Sequence, residues 1–382
     1  MQKAHIVVGD LLSDWTNLSF ANVATTSPAA HKASMDWSAA LARGGAAEFD
    51  GEAEKNGMLP LRQAAARLLS CGVEDVCVGS SATELLCSIA WAVWPNKGSN
   101  IVSTRSSFPS TVYPWSRVAE SSGAEIRLAN HDSNLYTNPD DILELIDEDT
   151  SVVTLSHIEF SNGQRYDLEK FANAAHSVGA ILVIDATQSM GMFPINAHSC
   201  GADVLVSSGY KWLRGTYGAA VGYISPSIRL NLNPGLVGFR SHADIWDLRA
   251  DRMDLPQDAS RFEYTTIHFG AVLGLAAAVE EICEIGIEQV WAHDLSLADA
   301  VAEGADQLGL SVVSPMSVKE RSAIVSLRMP VGISSEEIAQ RLQDEYSILV
   351  TSRSGFLRVS PHLDNTIDEV NSLISALEEI LS

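Results

Sequence analysis

One lysine stands where a solubilising lysine has no reason to be. The chain has only seven lysines among 382 residues. Lys211 lies between Tyr210 and Trp212 in the stretch Ser207-Ser208-Gly209-Tyr210-Lys211-Trp212-Leu213-Arg214-Gly215, directly after the apolar run Val204 to Ser207. An amine at the end of a buried strand loses hydration and its pKa falls, which makes it both a nucleophile and a base. Asp185 lies 26 residues earlier, in Val183-Ile184-Asp185-Ala186-Thr187-Gln188. Each half reads as a strand end opening into a polar loop, so one amine and one carboxylate meet at the same edge of an α/β sheet. The amine can form a Schiff base with an aldehyde. The carboxylate can keep a ring nitrogen protonated, so that the ring accepts electrons from a neighbouring carbanion. Aldehyde and ring nitrogen together describe pyridoxal phosphate (PLP). A lone aspartate at a strand end is more often a helix cap; the lysine downstream reverses that reading here.

A phosphate needs its own cradle. The loop Ser80-Ser81-Ala82-Thr83 precedes an apolar helix running through Trp94. Free backbone N–H groups of Ser81, Ala82 and Thr83, with the hydroxyls, can hold a phosphate at the positive end of the helix dipole. Glu84 fits such a site only if it points outward, and capping alone would also explain the loop. Ser208 and Tyr210 add two hydroxyls beside the lysine.

The elements that must position these groups alternate between strand-like and helix-like. Val76–Val78, Ile101–Ser103, Glu125–Leu128, Ser151–Ile158, Ile181–Asp185, Val204–Ser207 and Ala219–Ile224 read as short strands, most of them nearly continuous apolar runs. Asp167–Val178 has helical periodicity, with Leu168, Phe171, Ala175 and Val178 on one face. Buried strands separated by helices imply a mostly parallel sheet covered on both sides. The later part of the chain differs. A long alanine-rich helix, Gly270 to Ile287, leads into strands (Ile324–Arg328, Leu357–Ser360) and helices (Ser335–Asp344, Thr366–Leu381) that read as a small α+β domain. Asn231 to Arg261 reads as a surface loop. Residues 1–50 lack strong periodicity and are expected to form an arm contributing to the small domain and to dimer contacts. The expected division is therefore 1–50, a large α/β domain over 51–270, and a small domain over 271–382.

Composition removes several function classes. Acidic residues outnumber basic ones, 48 to 25, for a net charge of −23. That disfavours nucleic acid and anionic membranes as partners. No apolar run approaches the length of a membrane span, and Met1-Gln2-Lys3-Ala4-His5 lacks a secretion-signal pattern, so a cytoplasmic location is expected. Five cysteines (Cys71, Cys77, Cys87, Cys200, Cys283) form no Cys-x-x-Cys pair, and no metal site is expected.

Taken in order and spacing, four motifs resemble the class V aminotransferase group of fold-type I PLP enzymes. They are Asp185-Ala186-Thr187-Gln188, Ser208-Gly209-Tyr210-Lys211-Trp212, Arg261-Phe262-Glu263 with Thr265-Thr266, and Leu357-Arg358-Val359-Ser360-Pro361-His362. The group includes cysteine desulfurases, kynureninases and isopenicillin N epimerases. The resemblance implies a seven-stranded, mostly parallel sheet and a homodimer. It also implies that Gln188 bonds the cofactor's phenolic oxygen, Phe108 stacks on its ring, Thr266 reaches the phosphate of the neighbouring subunit, and Arg358 binds the substrate α-carboxylate. A planar, bidentate guanidinium suits that last task; the alternative partner for Arg358 is the acidic C-terminal helix.

The chain departs from the desulfurase pattern in three places. Desulfurases carry a nucleophilic cysteine on a mobile loop shortly before this arginine, whereas Ala323 to Arg358 is short and contains no cysteine. They stack a histidine where this chain has Phe108, and a phenyl ring cannot move protons. They place an asparagine where this chain has Phe160, with Asn162 or Ser161 as nearby substitutes. The expected function is therefore a PLP enzyme acting on an α-amino acid, foremost a lyase that expels a β-substituent, as ergothioneine-pathway C–S lyases do, without a catalytic cysteine. An aminotransferase and an epimerase are the alternatives, and a catalytically silent PLP-fold binding protein is the remote one. The substrate side chain is not legible; Arg43, Arg240, His242, His268 and Arg353 are unranked candidates for contacting it.

Overall fold

A computed structural model of the protein describes residues 15–382. Seven strands form its main sheet: β1 (Val76–Gly79), β2 (Asn100–Thr104), β3 (Glu125–Ala129), β4 (Thr150–Ser156), β5 (Ile181–Asp185), β6 (Val204–Ser208) and β7 (Ala220–Ile224). Their spatial order is β1-β7-β6-β5-β4-β2-β3. Only β7 runs antiparallel to its neighbours β6 and β1; the other pairings are parallel. The mostly parallel sheet expected from the apolar runs is present.

Alternation along each strand divides two cores. Leu182, Ile184 and Leu205 face one side, with Leu61 of α2 (Leu59–Leu69), Phe171 of α5 (Leu168–Ser177) and Leu275 of α6 (Phe269–Ile285). Val183, Val204 and Val206 face the other, with Leu85 and Ile89 of α3 (Ala82–Val93) and Trp115 and Val118 of α4 (Pro109–Ser122). Period-two alternation thus becomes two hydrophobic layers flanking one sheet.

A second, antiparallel sheet has the order β10-β11-β9-β8, built from β8 (Ser311–Val312), β9 (Val325–Arg328), β10 (Thr351–Arg353) and β11 (Phe356–Val359). Helices α7 (Ile287–Gln307), α8 (Ser335–Tyr346) and α9 (Ile367–Leu381) supply Leu297, Leu342 and Leu373 to its core. Leu18, Phe20, Ile158 and Trp212 belong to the same core. The lysine's neighbour therefore packs into the C-terminal unit. Thr16–Asn17 pairs in parallel with Ile348–Leu349, and Ser19 bridges Ser360.

Helix α1 (Pro28–Gly44) corrects the aperiodic reading of the first 50 residues. Ala30 is its single buried residue, and the helix lies against α6 through small side chains. Contact through alanine and glycine leaves no wide apolar stripe to read. The start of the expected arm, and the reading of Met1 to His5, lie outside the described residues. Among those described, no helix is long and apolar enough to cross a membrane, and no group of three or more His, Cys, Asp or Glu is placed to hold a metal.

Candidate active site

Parallel register brings the chemistry to one edge. Ser156 pairs with Asp185 across β4 and β5, and Asp185 pairs with Val206 across β5 and β6. The carboxyl ends of these strands are level, and a crevice outside such ends is where open α/β sheets bind ligands. The pocket there is lined by Ala82, Thr83, Phe108, Ser110, Ser156, Ile158, Phe160, Asp185, Thr187, Gln188, Ser208, Tyr210 and Lys211.

Lys211 is buried, and burial lowers its pKa to about 8; Arg358 and Arg353 add to the fall while Asp185 opposes it. The amine thus keeps a usable neutral fraction near physiological pH, the form a nucleophile needs, although most of it is still protonated there. Gly209 lets the turn before it close: a Cβ there would lie 2.6 Å from Leu275 Cδ2 and 2.9 Å from the Ala219 carbonyl oxygen.

Asp185 is held at both oxygens. The Thr111 hydroxyl donates to Oδ2 at 3.0 Å, and the Thr187 amide donates to Oδ1 at 3.0 Å. Gln188 is fixed by the Trp212 indole, which donates to its Oε1 at 2.8 Å, and by its own Nε2, which donates to the Ala21 carbonyl at 3.0 Å. Its amide nitrogen keeps a second hydrogen to donate. On the phosphate side, the Ala82 amide donates to Ser208 Oγ at 3.4 Å and Thr83 Oγ1 donates to Ser110 Oγ at 2.9 Å. Glu84 turns back to the Ser80 hydroxyl and amide rather than lying among the pocket-lining residues. Phe108 forms the opposite wall, with Lys211 Nζ 5.6 Å from its ring centre and Phe160 edge-on at 5.3 Å.

Arg358 is buried and donates to the Phe160 carbonyl, but its Nε and Nη2 have no partner. Burial, with Arg353 nearby, pushes its pKa down to about 9. Two buried N–H directions without an acceptor are costly unless a ligand supplies one. A carboxylate does so with two oxygens. The alternative partner, helix α9, does not engage it.

Not every expected residue lines the pocket: Arg358 binds the carbonyl of the lining residue Phe160 without itself lining it, and Ser81 and Thr266 also lie outside the lining. Ser81 caps α3 by accepting from the Glu84 amide, and Thr266 is exposed and donates to Glu54 at 2.9 Å. Asn162 is occupied by the Asn134 carbonyl and the Gln164 amide, so neither it nor Ser161 stands in for the asparagine replaced by Phe160. Of the five side-chain candidates, Arg43 is exposed, Arg240 donates to Glu54 and Lys55 carbonyls, His242 binds the Asp244 backbone and His268 caps α6. Only Arg353 contributes to the field at Lys211. Thr111, Ser110, Ser156, Ile158 and Thr187 escaped the sequence reading. The polar run Ser106 to Thr111 at a strand end was the available signal for two of them.

The residues fit PLP on their own geometry. They pair an amine with a fixed carboxylate, place hydroxyls at a helix N-terminus, offer an aromatic wall, and leave a guanidinium short of an acceptor. Comparison with known proteins agrees. Residues 22–373 match the family described as aminotransferase class-V. The chain belongs to that family. Class V members are PLP-dependent enzymes. A probable cysteine desulfurase of Pyrococcus abyssi is 28% identical over 298 residues, covering 75% of this chain and 73% of its own. A kynureninase of Deinococcus radiodurans is 29% identical over 281 residues, covering 71% and 66%. Two solved structures share the fold: a cysteine desulfurase from Thermococcus onnurineus (TM-score 0.86, 24% identity, 96% and 94% covered) and a cystine C–S lyase in complex with cysteine persulfide (TM-score 0.88, 20% identity, 96% and 98% covered).

Proposed function

We propose that this class V enzyme is a PLP-dependent lyase that breaks the bond between the β-carbon of an α-amino acid and a sulfur substituent, with no cysteine nucleophile of its own. The observation that carries the last point is the β10–β11 hairpin. It closes through Ser354 and Gly355 alone, both in left-handed conformation at φ 51° and 82°. A two-residue turn of this kind leaves no loop to swing a thiol toward the lysine. None of the chain's five cysteines lines the pocket.

Lys211, Asp185, Gln188, Ser208, Tyr210 and the Ser81–Thr83 loop would hold the cofactor, with Phe108 against its ring. Bound there, PLP supplies an aldehyde that captures amines and a cationic ring that accepts electrons from the adjacent carbon. Arg358 binds the α-carboxylate through its two free N–H directions. That orients the amino acid with its α-hydrogen toward Lys211. The Lys211 amine takes that proton and, as the ammonium, can return it to a departing sulfur. Asp185, anchored by Thr111 and Thr187, would present its carboxylate to the ring nitrogen that must stay protonated. Phe108, Ile158 and Phe160 exclude water. The ionisable lining residues are Asp185, Tyr210 and Lys211, and Phe108 offers no second base opposite the lysine. That arrangement favours elimination over two-base epimerisation.

Product analysis tests the reading. Cystine and cysteine S-conjugates should yield pyruvate and ammonia. A new amino acid formed only when a keto acid is added would replace the lyase by an aminotransferase. Racemised starting material alone would replace it by an epimerase.

The same reading takes the protein as a cytoplasmic homodimer with an arm (1–50), a large domain (51–270) and a small domain (271–382). Thr266 would serve the partner subunit's phosphate site. Its exposure supports this, as do the exposed side chains Phe239, Trp246 and Leu248 of the preceding segment. Sedimentation at micromolar concentration checks it.

A further inference from the structure

The turn that carries Lys211 is held from outside. Arg214 closes it by donating its amide to the Lys211 carbonyl at 2.8 Å, and does so in a left-handed conformation (φ 56°) that an L-residue with a large side chain adopts at a cost. Three supports come from distant parts of the chain. The Ala24 amide donates to the Tyr210 carbonyl at 3.0 Å, the Ser27 amide donates to the Arg214 carbonyl at 2.9 Å, and His362 Nε2 donates to the Trp212 carbonyl at 3.0 Å.

The third support is unusual in its construction. His362 is fully buried, and its Nδ1 lies 2.6 Å from Oδ2 of Asp294 on α7, also fully buried. A carbonyl only accepts, so Nε2 must carry a hydrogen. Nδ1 and the carboxyl then share the pair's remaining proton, which fixes the tautomer that points Nε2–H at the Trp212 carbonyl. Phe20 and Trp212 stand edge-on to the imidazole at 5.2 and 5.1 Å and keep it from turning. A buried hydrogen-bonded pair of this kind adds little stability over apolar residues of equal volume. Asp294 even leaves its Oδ1 without a partner. Stability therefore gives no reason for it, but orientation does. His362 follows Arg358 by four residues, on the segment that leaves β11 through Ser360 and Pro361. One short stretch thus bears both the guanidinium left free for a carboxylate and the imidazole that grips the lysine turn.

We propose that His362, oriented by Asp294, is a positioning residue for Lys211: its hold on the Trp212 carbonyl locks the lysine turn to the segment bearing Arg358 and so sets the spacing between amine and carboxylate anchor. This rests on the reading of Lys211 as the cofactor-binding amine. The clamp touches neither substrate nor cofactor.

The test uses purified full-length protein. Reductive methylation of the apoprotein, read at Lys211 by peptide mass spectrometry across pH, reports the amine's environment. A PLP titration followed near ~420 nm reports cofactor capture. The double variant Asp294→Leu/His362→Leu removes the pair without stranding a charge. It should melt close to wild type, yet its labelling midpoint should rise from about 8 toward 10.5. Its apparent affinity for PLP should fall about tenfold, the worth of one such hydrogen bond. Asp294→Asn/His362→Phe keeps the ring volume, loses the donor and should behave alike. Asp294→Asn/His362→Gln restores an N–H near the Nε2 position, again without a stranded charge, and should recover to within about threefold of wild type. A folded donor-less double variant with wild-type midpoint and wild-type PLP titration overturns the proposal, as does a folded Asn/Gln double no better than the donor-less ones. Wild-type protein that labels at Lys211 but never absorbs near ~420 nm with PLP overturns the cofactor reading instead, and the labelling midpoints still judge the clamp.

Discussion

The cofactor-free protein should become more stable when its principal functional side chain is removed. Lys211 is buried, and its pKa falls from 10.5 to about 8. A folded-state pKa below the unfolded value means that the unfolded chain holds the proton more tightly over that interval. Folding below about pH 8 therefore buries a cation at a cost. A fall of about 2.5, at about 1.4 kcal/mol for each tenfold, amounts to about 3 kcal/mol. The cost is fully present at about pH 7, shrinks as pH rises past 8, and is about 0.4 kcal/mol by about pH 10.5. Lys211→Met keeps the shape and deletes the charge. Urea unfolding of the apoprotein should show the variant about 3 kcal/mol more stable than wild type at about pH 7, with the advantage nearly gone at about pH 10.5. An equal gain at both values would mean that apolar packing, not relief of a buried cation, explains the effect. A loss of stability at pH 7 would mean that the Lys211–Asp185 attraction outweighs desolvation, and the argument for a primed amine would fail.

Three further outcomes follow from the same geometry. Arg358→Lys should lower kcat/KM for the amino-acid substrate by about 10- to 150-fold, the worth of one charge-assisted hydrogen bond, mainly through KM. The matching amine without a carboxylate should bind both proteins equally, and an equal loss for the amine would remove Arg358 from carboxylate binding. Burial raises the pKa of Glu159 to about 7, against hydrogen bonds from Ser107 and Thr104 that lower it. The raised folded value means stability falls as pH climbs from the unfolded value near 4.5 through 7. Glu159→Gln should therefore raise the melting temperature at pH 8 but not at pH 4, and a gain at both would contradict the assignment. Finally, single Cys→Ala variants at all five positions should retain C–S bond cleavage; abolition by any one would reinstate a thiol nucleophile.

Most of the strand runs were legible because a buried strand needs apolar side chains on both faces; the edge strand β3, with Glu125 and Arg127, showed only the alternation of a half-buried strand. Lys211 and Asp185 were legible because strand ends at a parallel edge converge without further information. The N-terminal helix was not, since its contact with α6 runs through small residues such as Ala30. Nor was α7, whose existence a run of mixed polarity after Ile287 did not announce. Side-chain partnerships across long separations, Thr111 with Asp185 or Trp212 with Gln188, leave no trace in spacing, because many polar residues could have met there. The substrate's side chain stayed unread for the same reason: among the five candidates named from the sequence, only Arg353 lies where its charge reaches the lysine.

Residues 16–20 lie against Ile348, Leu349 and Ser360, more than three hundred positions downstream. An amide from Ala24 and an imidazole at 362 brace the same lysine turn. During translation the opening stretch must wait for partners emerging among the final few dozen residues. Closing so long a span is entropically slow. The lysine turn therefore gains its full set of braces only once position 362 has been made.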